Sequence, residues 1–166
     1  MKFDRLQLKD FVTLSSAGFG FLAVYFARTE YVLAAIFVVL AAVLDYLDGR
    51  VAKASGASNA FGRELDSLSD AVSFGVAPAL ASLAIAPKNL EMVQVGAALV
   101  FVWAALVRLA RFNLYAGQGK YYGLPAPAAA VILVVLAPVF GVFSFLLLLA
   151  LSGLMLAGFE MKKPAL

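Results

Sequence analysis

Four aspartates, Asp45, Asp48, Asp66 and Asp70, fall within the run LDYLDGRVAKASGASNAFGRELDSLSD, between long apolar stretches. A carboxylate beside hydrocarbon is costly unless a cation pairs with it. The chain has no histidine and no cysteine. A site built here binds through oxygen, and the ion that suits carboxylates alone is a hard divalent cation such as Mg2+ or Mn2+. Four ionised carboxylates carry about −4, so two divalent ions, or one ion and a protonated aspartate, restore the balance. Such ions next to bound phosphates suit displacement at phosphorus, because they hold the substrate's oxygens and neutralise the leaving group. A carboxylate not wholly used as a ligand can accept the attacking alcohol's proton. Solvation at a membrane interface is the plainer reading of one aspartate, and it suits two facing pairs with small residues between them poorly.

Helices must position these groups. The second apolar run is expected to continue as a helix to about Ala54, which makes Asp45 and Asp48 an i, i+3 pair on one face. Gly49 and Ala52 lie on or beside that face and leave room for a bulky ligand. The short polar link Ser55–Ala60 turns the chain back, and a third helix is expected from about Phe61. In it Gly62, Asp66 and Asp70 stand at i, i+4 and i+8. A hairpin of these two helices points the carboxylate pairs at each other, with Lys53 and Arg63 adding positive charge at the mouth.

Composition places that hairpin in a membrane. Of 166 residues 64% are hydrophobic and the mean hydropathy is +0.96, against about 45–50% apolar for a soluble domain. Apolar runs recur at Phe11–Ala27, Tyr31–Leu44, Ala71–Ala86, Met92–Val107, Pro125–Ala137 and Val142–Phe159. With their polar ends they approach the ~20 residues a span needs. The expected fold class is all-α, a polytopic membrane bundle of about six transmembrane helices. A soluble helical domain would need more charge to cover its surface. The chain reads as a single domain over 1–166, with residues 1–10 as a juxtamembrane segment that is either an interfacial helix or a solvated start. No removable signal peptide is expected, and without cysteine no disulfide framework forms.

Basic residues set the orientation. Lys2, Arg5, Lys9, Arg50, Lys53, Arg63, Arg108, Arg111, Lys120, Lys162 and Lys163 fall on one side, and only Arg28 and Lys88 on the other. The positive-inside rule puts both termini and the aspartates in the cytoplasm. The net charge of +3 is therefore a topology signal, and no nucleic-acid partner is expected. Alanines dense at Ala77–Ala86 and Ala126–Ala130 suit close helix packing in lipid, and Pro125 and Pro127 can open a helix.

The pattern D-x-x-D-G-x-x-A-R, eight residues, then G-x-x-x-D-x-x-x-D resembles the signature of the CDP-alcohol phosphotransferase family. Here it reads Asp45, Asp48, Gly49, Ala52, Lys53, Gly62, Asp66 and Asp70, with every spacing kept. The one departure is Lys53, where the family has arginine. Lysine keeps the charge without the bidentate fork. ELDSLSDAVSFGVAPA (Glu64–Ala79), LVRLARFN (Leu106–Asn113) and YGLPAPAAA (Tyr122–Ala130) resemble the integral-membrane phosphatidylserine synthase branch, which often carries further C-terminal helices. The resemblance covers roughly residues 10–135. It implies an enzyme, a phosphatidyltransferase in which the hydroxyl of L-serine attacks the lipid-bearing phosphorus of CDP-diacylglycerol and CMP leaves. It further implies that Asp45, Asp48 and Asp66 bind Mg2+ or Mn2+, as two ions, and that Asp70 is both ligand and base. CDP contacts are implied along Asp45, Gly49, Ala52, Lys53, Gly62 and Asp66. A homodimer is implied too.

Serine brings a carboxylate and an ammonium group. Arg108 and Arg111, i, i+3 at the cytoplasmic end of span four, match a carboxylate bidentately. One of them is expected to hold it, with Asn113 as a polar neighbour, against a reading of both as snorkelling anchors or lipid-phosphate contacts. Ser69 is read as satisfying a helix carbonyl, while Ser67 and Ser73 carry that reading and a substrate-binding one equally. Tyr121, Tyr122 and Trp103 read as interfacial or packing aromatics. The same chemistry with an ether-lipid donor, or with glycerol phosphate or inositol phosphate as acceptor, is the near alternative. A divalent-cation carrier is the alternative from another class, but it needs carboxylates spread through the bilayer depth.

Overall fold

The structure, a computed structural model, describes residues 8–55, 60–115, 121–158 and 160–161. It is helical throughout except for one two-residue ladder. Helix α1 spans Leu8–Phe26 and α2 Tyr31–Ser55, joined by a turn in which the Thr29 and Glu30 amides donate to Phe26 O. Helix α2 thus carries Asp45 and Asp48 and ends within a residue of the expected Ala54. Helix α3, Ala60–Asp70, runs without a break into a π-helical turn, Ala71–Val76, and on into α4, Ala77–Leu83. Pro78 sits in the first turn of α4, where a missing N–H is tolerated best. A 3₁₀ turn at Lys88–Leu90 opens α5, Glu91–Tyr115.

Pro125 starts α6, Ala126–Phe140, with Pro127 in its first turn. Gly141 ends it at φ +50°, ψ −116°, a conformation that only glycine takes without strain. A 3₁₀ turn, Gly141–Phe143, leads to α7, Ser144–Leu156. The Leu124 amide donates to Leu154 O at 2.9 Å, so α7 ends where α6 begins and the two form an antiparallel hairpin. Strands β1 (Tyr121–Tyr122) and β2 (Glu160–Met161) extend it as an antiparallel pair, Tyr121 opposite Met161 and Tyr122 opposite Glu160.

The interior is built mostly of alanine. Ala23, Ala41, Ala77, Ala105, Ala126 and Ala130 are fully buried, and Phe74 and Phe101 are the largest side chains sealed inside. Small side chains let helix backbones approach, which is how helices associate where no hydrophobic force drives them together. The exterior is apolar: Met92 is 80% and Val139 79% exposed, and Phe21, Val32 and Trp103 are likewise exposed. An alanine core under a shell of large apolar side chains suits a hydrocarbon surround and suits water poorly. The stretch Lys88–Leu114 is long and apolar enough to cross a membrane, and Ala126–Leu156, as apolar and as long in sum, folds back at Gly141 into α6 and α7. Phe11–Phe26 and Tyr31–Leu47 are shorter apolar helices.

Candidate metal centre

Helices α2 and α3 bring their aspartates together. One carboxylate oxygen from each of Asp45, Asp66 and Asp70 lies within 4.8 Å of the others. Asp45 and Asp66 are half-buried and Asp70 is only 9% exposed. Asp66 and Asp70 share a face of α3 because they are one turn apart, and Asp45 on α2 reaches the same place. Asp48, Ala52 and Lys53 follow on the same helix, but their side chains lie outside the described residues. Gly62, half-buried, is one turn before Asp66 on α3.

The donor set fits a hard cation. Opposite ligands of an octahedral Mg2+ with bonds of ~2.1 Å stand about 4.2 Å apart, so oxygens already within 4.8 Å need only small adjustments to share one ion. Like charges this close repel strongly, which is what a divalent cation relieves.

The carboxylates open on a cavity of about 290 Å³ lined by Asp45, Tyr46, Gly49, Asp66, Ser67, Asp70, Arg108, Leu109, Phe112, Pro125 and Pro127. Gly49 contributes space, since a Cβ there would meet nothing within 4 Å. Arg108, from α5, faces the acidic group, with its guanidinium carbon 5.8 Å from the centre of the Phe112 ring. Its Nε is buried and has no hydrogen-bond partner among the described residues.

The two arginines of α5 part company. Arg108 lines the cavity. Arg111 is exposed and points to the end of α7, where its Nη1 donates to Leu156 O at 3.4 Å. Asn113 reaches α3 instead: its Nδ2 donates to Ser67 Oγ at 2.9 Å. The Ser67 oxygen therefore acts as acceptor, leaving its own O–H to donate elsewhere. Ser69 and Ser73 are turned away, each donating to a carbonyl of α1.

Sequence reasoning did not single out Tyr46, Leu109, Phe112, Pro125 or Pro127 as lining residues. Phe112 carries a usable signal, being i+4 from Arg108. The prolines reach the site through the fold of α6 onto the bundle, and no local pattern announces that.

The family model for CDP-alcohol phosphatidyltransferase matches residues 8–158. A CDP-diacylglycerol–serine O-phosphatidyltransferase of Helicobacter pylori is 39% identical over 126 residues, covering 74% of this chain and 53% of that protein. One from Saccharomyces cerevisiae is 37% identical over 140 residues, 74% of this chain and 50% of its own. An archaetidylserine synthase of Methanothermobacter thermautotrophicus is 38% identical over 130 residues, 76% of this chain and 55% of its own. The chain spans about half the length of the curated relatives it matches.

Proposed function

The chain belongs to the CDP-alcohol phosphatidyltransferase family, and from that premise we propose that it transfers the phosphatidyl group of CDP-diacylglycerol to the hydroxyl of L-serine, forming phosphatidylserine and releasing CMP. The observation that carries this reading is the meeting of Asp45, Asp66 and Asp70 at a cavity that also holds Arg108. It is supported by the names of the similar proteins, which share serine as the acceptor.

Asp45, Asp48, Asp66 and Asp70 would hold divalent cations, Mg2+ or Mn2+, as two ions. When bound, the ions neutralise the pyrophosphate and the leaving CMP. Gly49 and Ala52 leave room beside Asp45 for the nucleotide, and Lys53 meets its phosphates as a point charge. Gly62 lies along the same face as Asp66. Asp70 takes the proton of the serine hydroxyl as its oxygen bonds to the lipid-bearing phosphorus and the bond from that phosphorus to CMP breaks. Arg108 pairs with the serine carboxylate, which supplies a partner for the buried Nε that has none among the described residues. Ser67, held by Asn113, offers its hydroxyl to the acceptor beside it. An ether-lipid donor is the second reading, favoured by the likeness to the archaetidylserine synthase; the tails differ far from the reacting atoms, so the same residues serve both.

The placement we propose is one membrane-embedded unit of six spans, formed by α1, α2, the rod α3–α4, α5, α6 and α7. Both termini and the site face the cytoplasm, following the basic residues. The family resemblance also suggests a homodimer.

The test supplies purified protein with CDP-diacylglycerol, Mn2+ and one acceptor at a time. CMP release and a phosphatidylserine product with serine alone are the expected result. Release with glycerol phosphate or inositol phosphate in place of serine overturns the acceptor assignment, and no CMP release with any acceptor overturns the reaction.

A further inference from the structure

We propose that α1, which contributes no side chain to the cavity lining among the described residues, sets the separation between the α2 carboxylate and those of α3, and that Ser16, Ser69 and Ser73 are the positioning residues through which it acts. The inference rests on the metal-binding reading of Asp45, Asp66 and Asp70.

Serines in apolar helices ordinarily satisfy themselves on a carbonyl of their own helix. Ser15 does so on Phe11 O, Ser82 on Ala79 O and Ser152 on Leu148 O. Three serines on the carboxylate-bearing segments and on α1 reach across to a neighbouring backbone instead. Ser69 Oγ donates to Thr13 O at 3.1 Å, Ser73 Oγ to Ser16 O at 3.1 Å, and Ser16 Oγ to Ala41 O at 3.2 Å. All three are buried. Their places in the chain matter. Ser69 directly precedes Asp70, Ser73 lies in the π-helical turn that follows it, and Ala41 is one helical turn before Asp45 on α2. One turn of α1, Thr13–Ser16, is thereby tied to both carboxylate-bearing helices at once.

The backbones are also in close approach. A Cβ at Gly20 would lie 2.8 Å from Ser73 Cα, whereas at Gly18, half a turn away, it would meet nothing within 4 Å. The π-helical turn adds a reason for such a brace. It widens the helix immediately after Asp70 and shifts the register between α3 and α4. The face that carries Asp66 and Asp70 is therefore not fixed by the packing of α4 alone. A small hard cation tolerates little error in the distance between its ligands, so an element that holds α2 and the end of α3 at a set spacing controls how well the carboxylates share an ion.

The experiment measures Mn2+ binding directly, by electron paramagnetic resonance titration of the purified full chain in detergent without substrate, with a thermal unfolding curve for each variant. Ser16→Ala, Ser69→Ala and Ser73→Ala are each expected to raise the Mn2+ Kd by about threefold to tenfold, the range expected if one interhelical hydrogen bond in lipid is felt at the site. Gly20→Ala, which pushes α1 off the π-helical turn without removing a polar group, is expected to do the same. Ser82→Ala and Gly18→Ala are expected to bind as the unsubstituted chain does. Unchanged Mn2+ affinity in the three serine variants overturns the inference, as does equal weakening in Ser82→Ala, which would mark general loosening. If the unsubstituted chain binds no Mn2+, the metal-binding reading itself fails, and that outcome is distinct from the other two.

Discussion

Asp70 is the most enclosed of the three grouped carboxylates, and its proposed role as proton acceptor makes it the most sensitive to a change that keeps shape and removes charge. Asp70→Asn is expected to lower kcat by about 10²–10⁴-fold, the usual yield of a positioned base, with cytidine nucleotide binding still measurable by calorimetry. Arg108 and Arg111 are expected to separate in the same kind of test. Arg108→Lys keeps the charge and removes the fork, so the serine KM should rise about tenfold or more while the CDP-diacylglycerol KM moves little. Arg111→Lys should have the smaller effect on serine. Equal rises for both substrates contradict the assignment of Arg108. The shared face of Asp66 and Asp70 was legible from spacing, because helical periodicity alone decides it. The division between the arginines was not, because i, i+3 residues share a face of α5 and only the position of α7 decides which one it intercepts. Ser67 is a similar case: its part depends on Asn113, 46 positions along the chain and on another helix.

At the scale of elements, the sharpest local demands fall on two glycines. Gly123 has φ +71°, and a Cβ there would run into the carbonyls of Met155 and Leu154, whereas Gly141, at φ +50°, has open space around it. Backbone held in a sparsely populated positive-φ region costs a non-glycine residue about 1–3 kcal/mol. Gly141→Ala should lose about that much, and Gly123→Ala should lose more, because the close approach of Gly123 to the end of α7 must also open. Thermal unfolding in detergent checks the order, and equal losses would mean that the crowding at Gly123 relaxes freely. The prolines at the start of α6 and the break near Gly141 were readable from the residues themselves. The π-helical turn at Ala71–Val76 was not. Its sequence, AVSFGV, continues an apolar run that reads as plain helix, and the helices that pack around it, α1, α5 and α6 among them, are brought there by the fold and not by any local pattern.

The molecule as a whole is an alanine-cored bundle whose acidic group gathers at one cavity. Composition announced the apolar exterior, since too few charged residues exist to cover it. Orientation rests on the charge bias alone, and it can be tested because the chain has no cysteine. Lys88→Cys should react with a membrane-impermeant maleimide in intact cells, and Arg63→Cys only after lysis; the reverse pattern would invert the proposed topology. Metal occupancy should also register globally. A ligand at about 100 times its Kd stabilises the state that binds it by about 2.7 kcal/mol. Mn2+ at such a level should therefore raise the unfolding midpoint, a chelator should reverse the shift, and Asp66→Asn should reduce it.

The most direct measurement follows radiolabelled serine into lipid. Purified protein given CDP-diacylglycerol, Mn2+ and labelled serine should place the label in phosphatidylserine with one CMP released for each lipid made; both should vanish on adding chelator and fall by about a hundredfold or more on substituting Asp70→Asn. Label that never enters lipid, or that enters it equally well with the metal removed, would contradict a metal-dependent transfer at these three aspartates.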